Sequence, residues 1–271
     1  NIVFPDKFGS VEVNALGNLP ERENILDSLM GIIDKNTLTG VWSSGKIFRG
    51  CCASNGTKHW FEKDSFLFDF SLIDRNENMV KILYPHSNWN ESEFYKVFRD
   101  ASSQLSLMDK SRMELKPGKY RTWFEPCAVA DFIDMFSWNG VSESSIRKGS
   151  SCFIKMRNEK KKLSPLFSLD ESFTDLTTSS FNTRGEVSST VSIIKNGVFE
   201  NALINSKTAN EYNLESNYAE DENSWGMGEY FRSPSMHGGS LHDDDKLKAL
   251  DTGLFMSNIH YLNWSDNLGG R

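Results

Sequence analysis

The chain has 271 residues, of which 38% are hydrophobic and 25% are charged, with a net charge of −7 and a pI near 5.4. This is a globular composition that allows one large domain or two small ones. The acidic balance and the scattered Lys and Arg argue against nucleic-acid binding, which needs a concentrated basic patch. No run approaches the about 18 apolar residues of a membrane span and no secretory signal opens the chain, so we expect a soluble protein with no membrane partner. The four cysteines, which read as free thiols, favour a reducing cytoplasm.

The first third of the chain predicts a helix followed by hairpins. Residues 1–19 show no sustained period and are expected to be irregular, whereas residues 20–33 carry an apolar stripe at helical spacing. Residues 41–84 contain short apolar runs separated by Ser44-Gly45 and Asn55-Gly56. Asn-Gly is typical of tight hairpins, so this region predicts an antiparallel meander.

A second amphipathic helix is predicted over residues 91–108, where apolar side chains recur every three to four positions. The polar loop that follows ends in a Pro-Gly turn, which is typical of a domain boundary. We therefore predict an α+β, antiparallel-sheet-rich protein of two units. The first is an α+β domain over residues 1–112, and the second is a sheet-rich domain over residues 113–271.

The central segment predicts a turn, a short strand and a helix. Pro117-Gly118 favours a turn, residues 120–124 favour a strand, and Pro126 suits a first helical position. The predicted buried face of this helix consists of Val129, Phe132, Ile133 and Phe136. Many folds place chemistry where a strand feeds a buried helix, but a solvated helix face explains the carboxylates Asp131 and Asp134 more simply than an acid, base or ligand role.

Beyond this helix the pattern predicts further strands and loops. Residues 151–156 read as a strand, and the Ser-, Thr- and Asp-rich residues 170–185 as a surface loop. Asn196-Gly197 predicts a hairpin between strands over residues 187–194 and 198–204.

The C-terminal part predicts two capped helices and a last strand. Ser206 is the expected cap of a short helix, and Ser240 of a helix that begins near residues 243–245. Residues 213–239 have no period and form a long loop, a kind of segment that is often functional. Residues 254–264 read as a strand.

The sequence surroundings of the cysteines and of two histidines favour structural roles for them. Four cysteines lie in apolar surroundings without C-x-x-C spacing, so buried free thiols are favoured over a metal or disulfide role: Cys51, Cys52, Cys127 and Cys152. His59 and His260 read as strand residues that pack beside aromatic side chains and make one hydrogen bond.

One segment does gather possible metal ligands. Residues 237–245 contain His237, Gly238, Gly239, His242 and three consecutive Asp. The acidic residues already suit a first helical turn, and a flexible Gly-Gly loop does not preorganise zinc ligands. A loop that contacts substrate or a partner is therefore the better functional hypothesis.

Several strings, in this order and spacing, resemble the TldD/PmbA family, whose PmbA branch is also called TldE and was formerly called modulator of DNA gyrase. They are residues 116–120 (KPGKY), 126–130 (PCAVA), 147–151 (RKGSS), the Asn196-Gly197 hairpin, 251–255 (DTGLF) and 263–266 (NWSD). The resemblance covers most of residues 20–271. It implies a prokaryotic cytoplasmic protein from a metallopeptidase family whose members extend beyond both ends of this sequence.

In the TldD branch, an H-E-x-x-x-H helix and a distant cysteine hold a metal ion that activates water. The resemblance sets this motif against residues 134–139, with Asp134 and Asn139 at the positions of the histidines and Met135 at the position of the glutamate. The motif is absent, which places the chain on the TldE/PmbA side. We therefore expect no catalytic residue and no metal or other cofactor in this chain, and zinc in a TldD-like partner.

The resemblance implies a non-catalytic subunit of a peptide-cleaving complex that acts on unfolded or leader peptides. One alternative is a stand-alone metallopeptidase with a divergent site around Asp134, His237 and His242. Another is a homodimeric peptide-binding module. The expected partners are thus a TldD-like catalytic subunit or a second copy of the chain, together with a peptide substrate.

Overall fold

The computed structural model describes residues 9–30, 33, 37–138, 140–219 and 228–270. These fall into two compact units. The N-terminal unit comprises the described parts of residues 13–49 and 61–119, and the C-terminal unit those of 1–12, 50–60 and 120–271. The mixed, mostly antiparallel architecture confirms the predicted fold class. The boundary predicted at residue 112 concerns where one independently folding domain ends and the next begins, and it stays a prediction.

The N-terminal part consists of a sheet and two helices. Its elements are β1 (Ser10–Ala15), α1 (Arg22–Met30), β2 (Thr37–Cys52), β3 (Lys58–Ile73), β4 (Met79–His86) and α2 (Glu91–Met108). β3 pairs with β1, β2 and antiparallel β4. Apolar residues alternate along β3, so one face of the strand is buried against α2.

The helix α2 has the predicted bounds because its sequence supplies both a cap and an apolar stripe. The Asn90 side chain accepts a hydrogen bond from the Glu93 amide at 3.2 Å. Phe94, Phe98 and Leu105 are buried against the sheet. This prediction is confirmed.

Two predictions for the N-terminal region are wrong. Residues 10–15 form a strand rather than an irregular segment, because β3 offers a pairing edge that the local sequence does not reveal. Ser44-Gly45 is not a turn but lies within the continuous strand β2. The Asn55-Gly56 turn between β2 and β3 is confirmed.

The C-terminal unit contains short strands and helices. They are β5 (Thr122–Phe124), α3 (Pro126–Ser137), α4 (Glu143–Arg147), α5 (Ile154–Asn158), β6 (Leu169–Glu171), β7 (Val191–Lys195), β8 (Val198–Phe199), α6 (Ser206–Tyr212), β9 (Pro234–Met236), a 3₁₀ helix (Asp243–Asp245), α7 (Lys246–Leu250) and β10 (Leu254–Met256). One sheet has the order β8-β7-β6-β9, and β5 pairs in parallel with β10. The core combines the sheet with α3 and contains the fully buried Leu169, Ile193, Ile194 and Leu203.

The hairpin at Asn196-Gly197 is confirmed. Both residues have positive φ, at 48° and 77°, as a tight two-residue hairpin turn requires. A Cβ on Gly197 would lie 2.4 Å from the Leu163 carbonyl oxygen, so the position also needs glycine for space. The flanking strands β7 and β8 are shorter than predicted.

The strand predicted over residues 151–156 is wrong. Ser151 is buried and donates to the Gly140 carbonyl at 2.6 Å, while its hydroxyl accepts from the Phe153 amide at 3.0 Å. This turn leads into the helix α5. The aromatic and apolar residues that suggested a strand instead pack as part of the core around Phe153.

The surface loop predicted over residues 170–185 is also wrong. Its first residues belong to β6, which lies between β7 and β9. Glu171 is 0% exposed, and Phe173 and Phe181 are buried. Polar composition suggested a solvated loop, but the Arg232 and Ser233 amides from a distant segment donate to Glu171 and allow its burial.

The capping and end predictions need correction as well. Asn205, not Ser206, caps α6, because its side chain accepts from the Thr208 amide at 2.8 Å. The 3₁₀ helix follows His242 and has no side-chain cap, so Ser240 does not cap it. The last strand ends at Met256 rather than at residue 264.

The four cysteines are free, as predicted, but Cys52 is exposed and the other three are only partly buried. Burial raises the pKa of Cys152 to about 11, so this thiol stays protonated and unreactive at neutral pH.

The packing role predicted for His59 is confirmed, since it is 5% exposed and stacks on Phe181. Its ring makes two hydrogen bonds rather than one, to the Val11 amide and the Gly185 carbonyl. His260 lies outside any strand and is exposed. Among the described residues, no helix has the length and apolar character needed to cross a membrane.

Candidate functional site

The helix α3 lines the best candidate site. Pro126 is its first residue, where the missing N–H costs nothing, and the preceding Glu125 amide donates to the Met256 carbonyl at 2.9 Å. Val129, Ile133 and Phe136 pack into the core as predicted. Phe132 does not: it is 37% exposed and lies edge-on to Phe124, with ring centroids 5.1 Å apart.

A cleft of about 690 Å³ runs along α3 within the C-terminal unit. The strand β5 forms one wall and residues 231–236 form another. Most of the lining is apolar, including Trp123, Phe124, Val129, Ile133, Phe231 and Met236. A mostly apolar lining with a few polar groups is typical of ligand-binding clefts.

Two carboxylates, Asp134 and Asp243, complete the lining. Asp134 lies on the exposed side of α3 and accepts a hydrogen bond from the Trp138 indole N–H at 3.2 Å. Burial, and to a smaller degree the negative charge of Asp134, raise the pKa of Tyr230, so its phenol remains a neutral donor at neutral pH.

The wall formed by residues 229–237 is held by hydrogen bonds along its length. The Phe231 amide donates to the Ser137 hydroxyl of α3 at 3.2 Å. The Arg232 and Ser233 amides donate to Glu171 Oε1 at 2.9 and 2.6 Å. The strand β9 then pairs with β6. These contacts fix the wall relative to α3 and so preorganise the cleft.

Glu229 anchors the beginning of the same wall. It is 0% exposed, and its carboxylate accepts hydrogen bonds from the Ser142 hydroxyl and the Ser144 amide, at the start of α4, and from the Asn205 amide, at the start of α6. A carboxylate at two helix N-termini is favoured by the amide groups that are unpaired there.

A second acidic group lies near the start of α3. Lys246 Nζ contacts Glu125 at 2.9 Å and Asp243 at 3.0 Å. Burial lowers the pKa of Lys246, but hydrogen bonds and charges from both carboxylates outweigh burial and raise it above 10.5. Lys246 is therefore charged, and it offsets one of the two negative charges.

The residues of the predicted loop site, His237, Gly238, Gly239 and His242, have different surroundings in the structure. His237 Nε2 lies 2.7 Å from Asp170 Oδ2 on the neighbouring strand β6. The His242 carbonyl accepts from the Asp245 amide, at the start of the 3₁₀ helix. Gly238 and Gly239 are exposed, with open space where a Cβ would be. Whether this loop contacts substrate or a partner stays a prediction.

The part of the chain that the structure describes holds no group of three His, Cys, Asp or Glu side chains able to bind one metal ion. Asp134, His237 and His242 therefore do not form a shared site. Asn139 lies outside the described residues. At the positions matched to the family's metal helix, Asp134 supplies one oxygen ligand and Met135 is buried, at 7% exposure. Zinc prefers nitrogen and sulfur ligands, so these residues do not fit a zinc site.

Sequence reasoning missed four buried glutamates: Glu143, Glu171, Glu186 and Glu229. Glu186 shows one local signal, since the Asn182 side chain accepts from the Arg184 and Glu186 amides and forms a compact turn. Glu143 shows another, since it pairs with Arg147 four positions along the same helix. Partners of Glu171 and Glu229 come from up to 87 positions away, as for Ser142 and Glu229. No local pattern predicts such pairs.

Comparison with known proteins adds the family. A sequence profile for the PmbA/TldA metallopeptidase C-terminal domain matches residues 117–270, more than half of the chain. No curated protein matches the chain.

Three solved structures share the fold. A proposed modulator of DNA gyrase from Thermotoga maritima is 19% identical over 79% of this chain and 50% of its own, with a TM-score of 0.62. TldE from Thermococcus kodakarensis is 16% identical over 77% and 49%, with a TM-score of 0.60. A proposed modulator of DNA gyrase from Bacteroides thetaiotaomicron is 14% identical over 94% and 60%, with a TM-score of 0.66.

At these identities the structures support the fold, and the chain spans only 49–60% of their lengths. The profile match and the shared fold agree with the strings found in the sequence. The chain belongs to the TldD/PmbA family of metallopeptidase-related proteins.

Proposed function

We propose that this chain is the non-catalytic, TldE-like subunit of a cytoplasmic peptide-cleaving complex, and that the α3 cleft forms part of the peptide-holding surface. The observation that carries the proposal is the side chain chemistry of α3. Where the active branch of the family has a metal-binding and water-activating helix, this helix presents Asp134 and a buried Met135.

The helix α3 lacks the groups that a zinc peptidase needs to hydrolyse a peptide bond. An active zinc peptidase needs several metal ligands and a general base that takes a proton from water. A thioether carries no such proton-accepting group at neutral pH, so Met135 cannot replace a glutamate base. Under this proposal, this chain binds no zinc, and a TldD-like partner supplies both the metal and the base.

The cleft supports retention of a role in peptide binding. Its apolar lining would be costly to expose on a surface without a function. Its second wall is held in place because the Phe231 and Ser233 amides donate hydrogen bonds to Ser137 and Glu171. The structural likeness to TldE from Thermococcus kodakarensis is consistent with the proposal.

The test combines purification with metal analysis and a cleavage assay. The full-length chain, expressed in its native host with an affinity tag, should bring down a TldD-like protein that carries H-E-x-x-x-H. The isolated chain should contain less than about 0.1 zinc per protomer, since its described residues lack a zinc ligand set. Cleavage of an unfolded peptide should require both chains.

The control is a TldD-like partner whose motif glutamate is replaced by glutamine. It should still form the complex but should not cleave. Stoichiometric zinc and chelator-sensitive cleavage by this chain alone would overturn the proposal in favour of a stand-alone metallopeptidase. Recovery of only self-associated chain would favour the homodimeric peptide-binding module.

A further inference from the structure

We propose that a pocket lined by α5, by the turn that follows it and by β8 binds an acidic peptide segment. One apolar side chain of the peptide enters the pocket, and neighbouring Asp or Glu side chains pair with lysines of the lining. The pocket has a volume of about 190 Å³. It shares no lining residue with the α3 cleft, so this inference goes beyond the proposed function and does not depend on it.

The apolar part of the lining is fixed by the core of the C-terminal unit. Met156 and Phe199 are partly buried and pack against that core, and Val198 completes the apolar surface. The Phe199 ring also packs against the Phe153 ring, with centroids 5.4 Å apart. A volume of about 190 Å³ lies below the about 300–1,000 Å³ of pockets for whole small molecules, so this pocket suits a single apolar side chain.

The rest of the lining is charged and mostly cationic. It consists of four cations and one carboxylate: Arg157, Lys160, Lys161, Lys162 and Glu200. Arg157 is engaged, because its guanidinium donates to both oxygens of the buried Glu143 carboxylate. Lys161 pairs with Glu159 at 3.1 Å.

Two lysines of the lining remain available to a ligand. Among the described residues, neither Lys160 nor Lys162 makes an ion pair. Together they outnumber the single carboxylate of the lining, Glu200, so the pocket keeps a net positive charge. Acidic side chains are attracted to this pocket and basic side chains are repelled.

Backbone hydrogen bonds hold both ends of the lysine turn. The Glu159 amide donates to the Lys155 carbonyl at 2.9 Å, at the end of α5. The Leu163 amide donates to the carbonyl of Gly197, in the hairpin between β7 and β8, at 2.9 Å. The turn therefore has a defined shape before any ligand binds, which lowers the entropic cost of binding.

Lys160 has a backbone conformation that its residue type does not favour. Its φ is 55°, in the left-handed region where Gly and Asn are the usual residues. Stability alone would favour Gly or Asn at this position. A lysine there is explained by a binding role, because its side chain lines the pocket.

The same lining favours a peptide over a nucleic acid. A phosphate backbone binds along an extended basic surface, whereas the available cations here are two lysines two positions apart. Glu200 also repels a phosphate backbone. A peptide places an apolar side chain and carboxylates within a few residues of one another, which matches an apolar pocket beside lysines.

Fluorescence anisotropy with the full-length chain tests the assignment. The probes are labelled peptides with blocked ends in which a central Leu is flanked on both sides by Glu, Gln or Lys. The Glu peptide should bind about threefold to tenfold more tightly than the Gln peptide, as expected for exposed ion pairs, and the Lys peptide should bind most weakly. The preference for Glu should shrink with added salt. Ala in place of the central Leu should weaken binding about fivefold or more, because the pocket is then left unfilled.

Substitutions in the lining should change the affinity in opposite directions. Lys160→Asn should lower affinity for the Glu peptide about threefold and leave the Gln peptide unchanged. It should not lower the Tm, since Asn tolerates the left-handed region. Glu200→Gln should raise affinity for the Glu peptide about twofold, because it removes a repulsion. Lys207→Gln is the matched control and should change neither affinity, because Lys207 is exposed and does not line the pocket.

Several outcomes would overturn the inference. They are equal binding of the Glu and Gln peptides, failure of every peptide to bind, and equal effects of Lys160→Asn and Lys207→Gln. A labelled single-stranded oligonucleotide that binds as tightly as the Glu peptide would also overturn it, because the lysines would then recognise phosphate. These measurements use this chain alone, so their result is separate from whether a TldD-like partner co-purifies.

Discussion

The buried carboxylate of Glu143 connects α4 to α5, and its replacement by glutamine tests how the C-terminal unit is held together. Arg157 forms a fork with hydrogen bonds of 3.0 and 2.5 Å to the two carboxylate oxygens, and Arg147 Nε adds a third at 2.7 Å. Glu143→Gln removes the negative charge and replaces one carboxylate oxygen by an NH2 group. That group is a hydrogen-bond donor and would face the N–H donors of a guanidinium.

The expected loss of stability depends on how exposed the two arginine partners of Glu143 are. Hydrogen bonds to charged groups contribute about 1.5–3 kcal/mol each, but the two arginine side chains are 44% and 30% exposed, so screening reduces each contribution to about 1 kcal/mol. We expect Glu143→Gln to lower the free energy of unfolding by about 3 kcal/mol. For a chain of this size the Tm should fall by roughly 6–12 °C.

The pH dependence has a definite sign. Burial raises the pKa of Glu143, but the hydrogen bonds and charges of Arg157 and Arg147 outweigh burial and lower it below 4.5. Because the folded state binds the proton more weakly than the unfolded state, the stabilisation is fully present above pH 4.5. It is lost as the pH falls through the lowered pKa, where the protonated wild-type side chain resembles glutamine.

Urea unfolding of the wild-type chain and of Glu143→Gln at pH 7, and across a series of lower pH values, measures both effects. Glu159→Gln is the control, because Glu159 pairs with Lys161 at 3.1 Å while both side chains are more than half exposed. It should change stability by less than about 0.5 kcal/mol. A loss below about 1 kcal/mol for Glu143→Gln, or a difference from wild type that persists at the lowest pH, would refute the reasoning.

Two further substitutions test the core and the hairpin. Ile193→Ala should cost about 2–5 kcal/mol in chemical denaturation, because the side chain is 0% exposed in the core, whereas Leu166→Ala, at 91% exposure, should be nearly neutral. A similar loss for both would contradict the assigned core. Gly197→Ala should lower the Tm, because the φ of Gly197 is 77° and the new Cβ would meet the Leu163 carbonyl. Gly238→Ala is the control, because the space around Gly238 is open. Equal Tm values for the two variants would argue against the turn geometry.

Local sequence determined the elements whose signals lie close together along the chain. Asn90 and the apolar stripe that follows it define α2, and Asn196-Gly197 defines the hairpin between β7 and β8. Pro126 and the apolar residues after it define α3. In each case, caps, turns and periodicity act over a few residues, so the physical cause is visible in the sequence.

The family is also visible in the sequence, in strings whose order and spacing resemble those of the TldD/PmbA family. The resemblance sets Met135 against the glutamate of the family's active branch, and this match stays a prediction. The burial of the Met135 side chain is visible only in the tertiary structure.

The cleft required the tertiary structure. Glu171 lies in a stretch that reads as a polar surface loop, yet it is buried because the Arg232 and Ser233 amides, about 60 positions away, satisfy one of its oxygens. Glu229 is buried for a similar reason, because its carboxylate accepts hydrogen bonds at the starts of α4 and α6. Burial of a charge depends on partners that only folding assembles, so composition predicts the wrong environment for both. Local sequence thus determined α2, α3, the hairpin between β7 and β8 and the family, while long-range hydrogen bonds decided where the second wall of the cleft stands.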